Sequence, residues 1–99
     1  MTRIEFHPSA AQEAIEASKW YESLKIGLGS DFRREMGRVL ERIAAYPKIH
    51  SEDEGVRSAP LSKFPYMLIY QDLEDRIWIV AVAHNKRRPN YWQHRRKNS

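Results

Sequence analysis

Hydrophobic and polar positions divide the chain into short, readable segments. Arg3 to His7 alternates, with Ile4 and Phe6 on one face, which predicts a short strand. Pro8 ends it. Ser9, with Gln12 three residues later, has the form of a capping box. Ala11, Ala14, Ile15, Ser18, Tyr21 and Leu24 then recur at three- and four-residue steps, predicting a helix with one apolar face that ends near Lys25. Gly27 and Gly29 mark a tight connection, and Ser30 or Asp31 can cap a second helix. Phe32, Met36, Val39, Leu40 and Ile43 form its core stripe, and Tyr46-Pro47 ends it, because a residue before proline avoids helical angles. A connection of about five residues favours two antiparallel helices packed together.

The second half changes period. Residues 48–55 are polar and read as a loop. Val56 to Leu61 is a weak strand, limited by Pro60 to an edge or an early end. Phe64-Pro65 is a turn, Tyr66 to Tyr70 a strong strand, and Asp72 to Asp75 a hairpin turn. Ile77 to Ala83 is almost wholly apolar, as in a central strand covered on both faces. Pro89 can open a short final helix through Tyr91, Trp92 and Arg95. The expected fold is α+β: an N-terminal strand, a two-helix antiparallel hairpin, then a three-stranded antiparallel sheet with a short basic C-terminal segment.

With 99 residues, one domain spanning residues 1–99 is expected, without internal repeat or linker. Apolar residues make up 41%, enough for one core. A domain this small buries only roughly 60–70% of the surface its unfolded chain exposes, so a bound partner would add usefully to its stability. The absence of cysteine excludes disulfides and thiolate metal sites and is compatible with a cytoplasmic protein. No metal or organic cofactor is expected. No apolar run approaches the roughly 20 residues that span a membrane, and no secretory signal pattern is expected at the N-terminus.

Charge is unevenly placed. The net charge is +4, yet residues 1–83 hold 11 Lys/Arg against 13 Asp/Glu. The whole excess lies in Lys86, Arg87, Arg88, Arg95, Arg96 and Lys97, with no acid among them. A positive end on a near-neutral body suits an anionic partner, nucleic acid or an acidic protein; the plainer reading is a solvated tail. Arg34, Arg38 and Arg42 recur at four-residue steps on one face of the second helix. They are a candidate contact surface or, more simply, a hydrated row beside Glu35 and Glu41.

Several segments combine into a pattern. Trp20-Tyr21-Glu22 follows the small-residue face of the first helix, and Leu28-Gly29 then Phe32 open the second. Arg57 precedes Leu61, followed by Phe64-Pro65-Tyr66-Met67-Leu68-Ile69-Tyr70. Ala81-Val82-Ala83-His84 runs into Arg87-Arg88-Pro89-Asn90-Tyr91-Trp92. Together these resemble the RelE/ParE toxin superfamily, which includes plasmid stabilisation proteins. The resemblance extends over roughly residues 4–95. It implies the toxin half of a bacterial type II toxin–antitoxin pair, held inactive by a cognate antitoxin. It also implies one of two targets: DNA gyrase for ParE-like members, or messenger RNA on the ribosome for RelE-like ones.

Metal-free RNA cleavage requires a base for the 2′-hydroxyl, a cation for the crowded phosphate and an acid for the leaving oxygen. The candidates are His84, Arg87, Arg88 and Tyr91, with Arg57 reaching from a neighbouring strand. In messenger-cleaving relatives, the resemblance implies an arginine directly after the tyrosine of the middle strand. Here Tyr66 is followed by Met67, and a thioether holds no phosphate. Candidates for binding a target or antitoxin are Arg34, Arg38, Arg42, Trp92, Arg95 and Arg96. The plainer alternatives are a hydrogen-bonding role for His84 at a strand end, a packing lid for Tyr91 and Trp92, and an ion pair of Arg57 with Glu52 or Glu54. For Trp20 and Tyr21 the expectation is core or rim packing.

Three functions therefore stand after the sequence: a toxin binding a protein target such as gyrase, slightly favoured; a ribosome-dependent RNA endonuclease; and a non-toxic binding module with the same fold.

Overall fold

The structure is a computed structural model that describes residues 2–97. Strand β1 (Ile4–Phe6) leads into helix α1 (Pro8–Leu24) and helix α2 (Leu28–Ala45). Four strands follow: β2 (Glu52–Asp53), β3 (Val56–Pro60), β4 (Tyr66–Asp72) and β5 (Ile77–His84). They make one five-stranded sheet in the order β1-β5-β4-β3-β2. β1 runs parallel to β5, and every other pairing is antiparallel. The α+β class holds, with one strand more than expected. That strand is β2, which pairs Glu52 with Arg57 and Asp53 with Val56 across a turn where Glu54 and Gly55 both take positive φ. Two exposed acidic residues carry no alternation, so nothing in their pattern marks a strand.

The helix ends also differ from expectation. α1 is capped by His7, whose Nδ1 accepts from Ser9 N at 3.0 Å, with Pro8 at the first helical position. Ser9 is therefore inside the helix rather than its cap. α2 starts two residues before Ser30, and its first turn is held by the Glu22 carboxylate, which accepts from Gly27 N and Gly29 N at 3.0 Å. Gly27, at φ 92°, makes the bend that only glycine takes without strain. The two helices lie so close here that a Cβ on Gly29 would stand 2.5 Å from the Ser18 carbonyl oxygen.

The helices cover one face of the sheet. Ala10, Ala14 and Ala17 of α1 allow that close approach, and Phe32, Val39 and Ile43 of α2 complete the layer over Ala59, Leu68, Tyr70, Ile77, Ile79 and Val82. Tyr21, Phe32, Phe64 and Tyr66 pack edge-to-face or stacked, with ring centroids 4.8 Å apart at the closest. On the opposite face a second cluster joins Val56, Ile69, Trp78, Val80, Ala81, Ala83 and Trp92. The full burial of β5 predicted by its apolar run follows from these two layers. A bulge lets one strand serve both: Ile69 pairs with Ala81 but Tyr70 with Ile79, so Val80 is an extra residue. Val80 and Ala81 both face the second cluster, while Ile79 and Val82 face the helices.

One carboxylate fixes the β3–β4 connection to the helices. Glu35 is buried on the core side of α2 and accepts from the Ser62 hydroxyl at 2.7 Å, from Ser62 N and from Lys63 N at 3.1 Å. Burial alone would push its carboxyl up. The Ser62 and Lys63 hydrogen bonds and the Lys63 ammonium outweigh that and hold it below the ordinary carboxylate value. A carboxyl lowered in the folded state stabilises the fold above its unfolded value and loses that contribution as pH falls through the folded one. Replacing Glu35 with Gln is expected to cost about 1–2 kcal/mol at neutral pH. Urea unfolding across the acid range should also show a shallower pH dependence for E35Q than for the parent chain.

Candidate functional site

The second face of the sheet is only half covered. Beyond β5 the chain crosses it as a tail, from Asn85 to Lys97, ending in one 3-10 turn at Gln93–Arg95. The expected final helix is reduced to that turn, and it begins after Trp92 rather than at Pro89. Trp92 is buried in the sheet cluster. Trp78 Nε1 donates to Arg95 O at 2.9 Å, and Gln71 exchanges two hydrogen bonds with the Lys97 backbone, both at 2.8 Å. Arg96 Nη2 donates to Glu54 O at 2.6 Å and so ties the tail to the β2–β3 turn.

The strongest tie runs through Glu13 of α1. One carboxylate oxygen accepts from Arg95 Nη1 and Val82 N, both at 3.0 Å; the other accepts from the Tyr91 hydroxyl at 2.8 Å. The side chains of Arg95 and Glu13 are 8% and 14% exposed. Burial, the Glu13 hydrogen bond and the Glu13 charge push the Tyr91 phenol up to about 12, against the opposing pull of Arg87 and Arg95. Its proton is thus committed to Glu13 across the neutral range.

Between the tail and the β2–β3 hairpin lies a groove of about 540 Å³. Its floor is Val56, Ser58, Met67, Ile69 and Ala83; Arg87, Arg88 and Arg96 border it on the tail side, and Asp53 and Glu54 on the other. Arg88 makes no hydrogen bond or ion pair among the described residues, and the Arg87 guanidinium lies 4.0 Å above the Tyr91 ring.

The candidates from the sequence separate accordingly. Arg87, Arg88 and Arg96 come together at the groove. His84 borders it, but its Nδ1 accepts from Lys86 N at 3.0 Å and its ring stands edge-on to Tyr66, centroids 5.1 Å apart. Arg57 does not reach the groove. Val56 and Ser58 point there, and strand alternation sends Arg57 to the other face, where it donates to His50 O at 2.6 Å and lies 3.7 Å from Glu52. Arg95 is turned inward to Glu13, and Trp92 is buried in the sheet cluster, where it lines the groove from the tail side. Arg34, Arg38 and Arg42 are exposed on the helical layer, across the sheet from the groove, and Arg34 pairs with Asp31 at 2.8 Å. Tyr21 is packed against the core, whereas Trp20 is 59% exposed and lines a small pocket with Tyr66, His84 and Arg87.

Sequence reasoning missed the roles of Glu13 and Glu22, and it set Glu35 beside a hydrated row, whereas Glu35 is buried. Two of them carried a cue: Glu13 lies three residues after Ala10 and four before Ala17, and Glu35 three after Phe32 and four before Val39. Each is an acid on the apolar face of its helix, where an unpaired charge would be costly. Glu22 carried no such cue.

The sequence model of the family described as "ParE toxin of type II toxin-antitoxin system, parDE" matches residues 4–89. The chain belongs to the ParE toxin family. Among solved structures, this ParE-family chain resembles one titled "Chromosomal ParDE TA system from P. aeruginosa", with a TM-score of 0.61 and 19% identity over 85% of this chain and 96% of that one. An identity this low speaks for the fold alone. No curated protein sequence matches the chain. The family match of this ParE-type chain ends before Tyr91 and Arg95, the two tail residues that grip Glu13.

Two outcomes follow for the tail. Glu13→Ala leaves a buried guanidinium unpaired and is expected to cost about 3–5 kcal/mol in urea unfolding, much of it recovered when Arg95→Met is added. A phenol raised in the folded state stabilises the fold fully below its unfolded value, and that contribution is lost as pH rises from 10 towards 12. Tyr91→Phe should therefore weaken the loss of stability over that alkaline window, measured by chemical unfolding at several pH values.

Proposed function

We propose that this ParE-family chain is the toxin of a two-protein module, arresting growth by binding a protein target, with DNA gyrase the target the family suggests. A cognate antitoxin, the product of an adjacent gene, neutralises it. The observation that carries this reading is the groove's chemistry. Its floor holds Met67 where a messenger-cleaving relative would be expected to hold an arginine, and Arg57 lies on the opposite face. The Tyr91 proton is engaged by Glu13, and the His84 Nδ1 lone pair by Lys86 N. General acid–base cleavage asks for such groups free beside the phosphate. An apolar floor between cationic and acidic borders suits protein contacts better. In the ribonuclease alternative Arg87 and Arg88 serve as phosphate contacts.

Purified chain is expected to inhibit gyrase in a DNA supercoiling assay, and inhibition should disappear when the adjacent gene's product is added. Absence of inhibition at micromolar excess would remove gyrase as the target. Primer extension on transcripts from induced cells should show no new cuts within codons; fresh cuts would shift the assignment to RNA cleavage. Normal growth on induction of the gene alone would support a non-toxic binding module instead.

No helix among the described residues is long and apolar enough to cross a membrane.

A further inference from the structure

A group of exposed apolar side chains stands at the end of the helical hairpin, with Trp20 sharing a small pocket with His84 and Arg87. Trp20 is 59% exposed and Leu24 57%, one turn apart on the same side of α1. Ile26, in the turn between the helices, is 92% exposed. A large aliphatic side chain so fully in water gains nothing for the fold, since its burial is what would stabilise.

This tip is not a loose loop. Glu22 takes both the Gly27 and Gly29 N–H groups, Leu28 N donates to Lys25 O at 3.0 Å, and the Ser18 hydroxyl donates to Gly29 O at 3.3 Å. The Gly29–Ser18 approach leaves no room for the helices to slide. The turn therefore holds the backbone that carries Ile26 in one place, and a backbone ordered beforehand loses less freedom on binding. Lys19 and Lys25 flank the apolar side chains, and neither forms an ion pair among the described residues. Of the acids on this part of α1, Glu22 is occupied by the turn, and Glu16, one turn before Trp20, accepts from Gln12 Nε2 at 3.2 Å.

We propose that Trp20, Leu24 and Ile26 form a rigid contact finger that enters an apolar cleft of the toxin's target protein, a cleft bordered by carboxylates that meet Lys19 and Lys25. The inference rests on the reading that the chain acts on a protein target. It adds where that target is gripped. Trp is among the residue types that dominate binding energy at such contacts, and a charge placed on a buried apolar anchor is strongly disruptive. The substituted side chains are exposed, so the fold should be unaffected by their replacement.

The test uses the full chain carrying Ile26→Asp, Leu24→Asp or Lys25→Glu, with three readouts: growth arrest on induction, co-purification with the adjacent gene's product, and melting temperature. The expected result is growth arrest weakened about tenfold or more by either aspartate and less by the lysine reversal. Melting temperature and co-purification should stay as in the parent chain. Full growth arrest by Ile26→Asp and Leu24→Asp would overturn the finger. So would loss of co-purification together with arrest, which would make the tip part of the antitoxin contact. Sedimentation of the parent chain, but not of Ile26→Asp, with phosphatidylglycerol-containing vesicles would assign the tip to a lipid surface instead. A parent chain that arrests growth without inhibiting gyrase, and whose Ile26→Asp variant is harmless, refutes gyrase and leaves the finger standing. A parent chain that never arrests growth refutes the function and the finger together.

Discussion

Strand β1 is too short for its neighbour, and the rest of the molecule is arranged around that mismatch. It pairs with β5 only from Ile77 to Ile79, while β5 continues to His84. The backbone groups of β5 past that point lie at an open edge inside the protein, where unpaired polar groups are costly. Side chains take the place of the missing strand. Glu13 accepts from Val82 N, and Arg95 donates to Val80 O. The two then satisfy each other's charge, and Tyr91 completes the set. A buried ion pair of this kind gains little or nothing over a well-packed apolar replacement, but losing either half is severe. Helix α1, the central strand and the tail are thereby made interdependent.

That interdependence also determines what chemistry remains at the surface. The tail brings six cations to an otherwise near-neutral chain, yet they are not equivalent once folded. Arg95 is spent on structure, Arg96 is tied to Glu54 O, and Arg87 lies over an aromatic ring. The proposed binding of a protein target would draw on this remaining surface. For such binding the positioning of side chains matters more than their proton affinities.

The parts of the fold written in local periodicity were legible in the sequence. The β4–β5 hairpin, the apolar stripes of both helices and the double-sided burial of β5 all follow from residues within a few positions of one another. What escaped depends on distance along the chain. Glu13 meets residues 69 to 82 positions away, and Glu35 meets residues 27 to 28 away. No local pattern announces such partners, although an acid on an apolar helix face hints that one exists. Arg57 illustrates a different gap. Alternation shows that it and Ser58 face opposite ways, but not which side will hold a groove. His7 displaced Ser9 as a cap for a similar reason: both residue types can accept a hydrogen bond, and the geometry of Pro8 decides between them.

Val80 shows how much a single additional residue can govern. Before it, β5 sends odd-numbered side chains towards the helices; after it, even-numbered ones. The strand is in effect two rulers joined half a graduation out of step. The first is matched to β1 and the second to the course of the tail. The offset decides which half of the strand's side chains meets the returning tail: Ala81 and Ala83 share Trp92's layer, while Val82 turns to the helices.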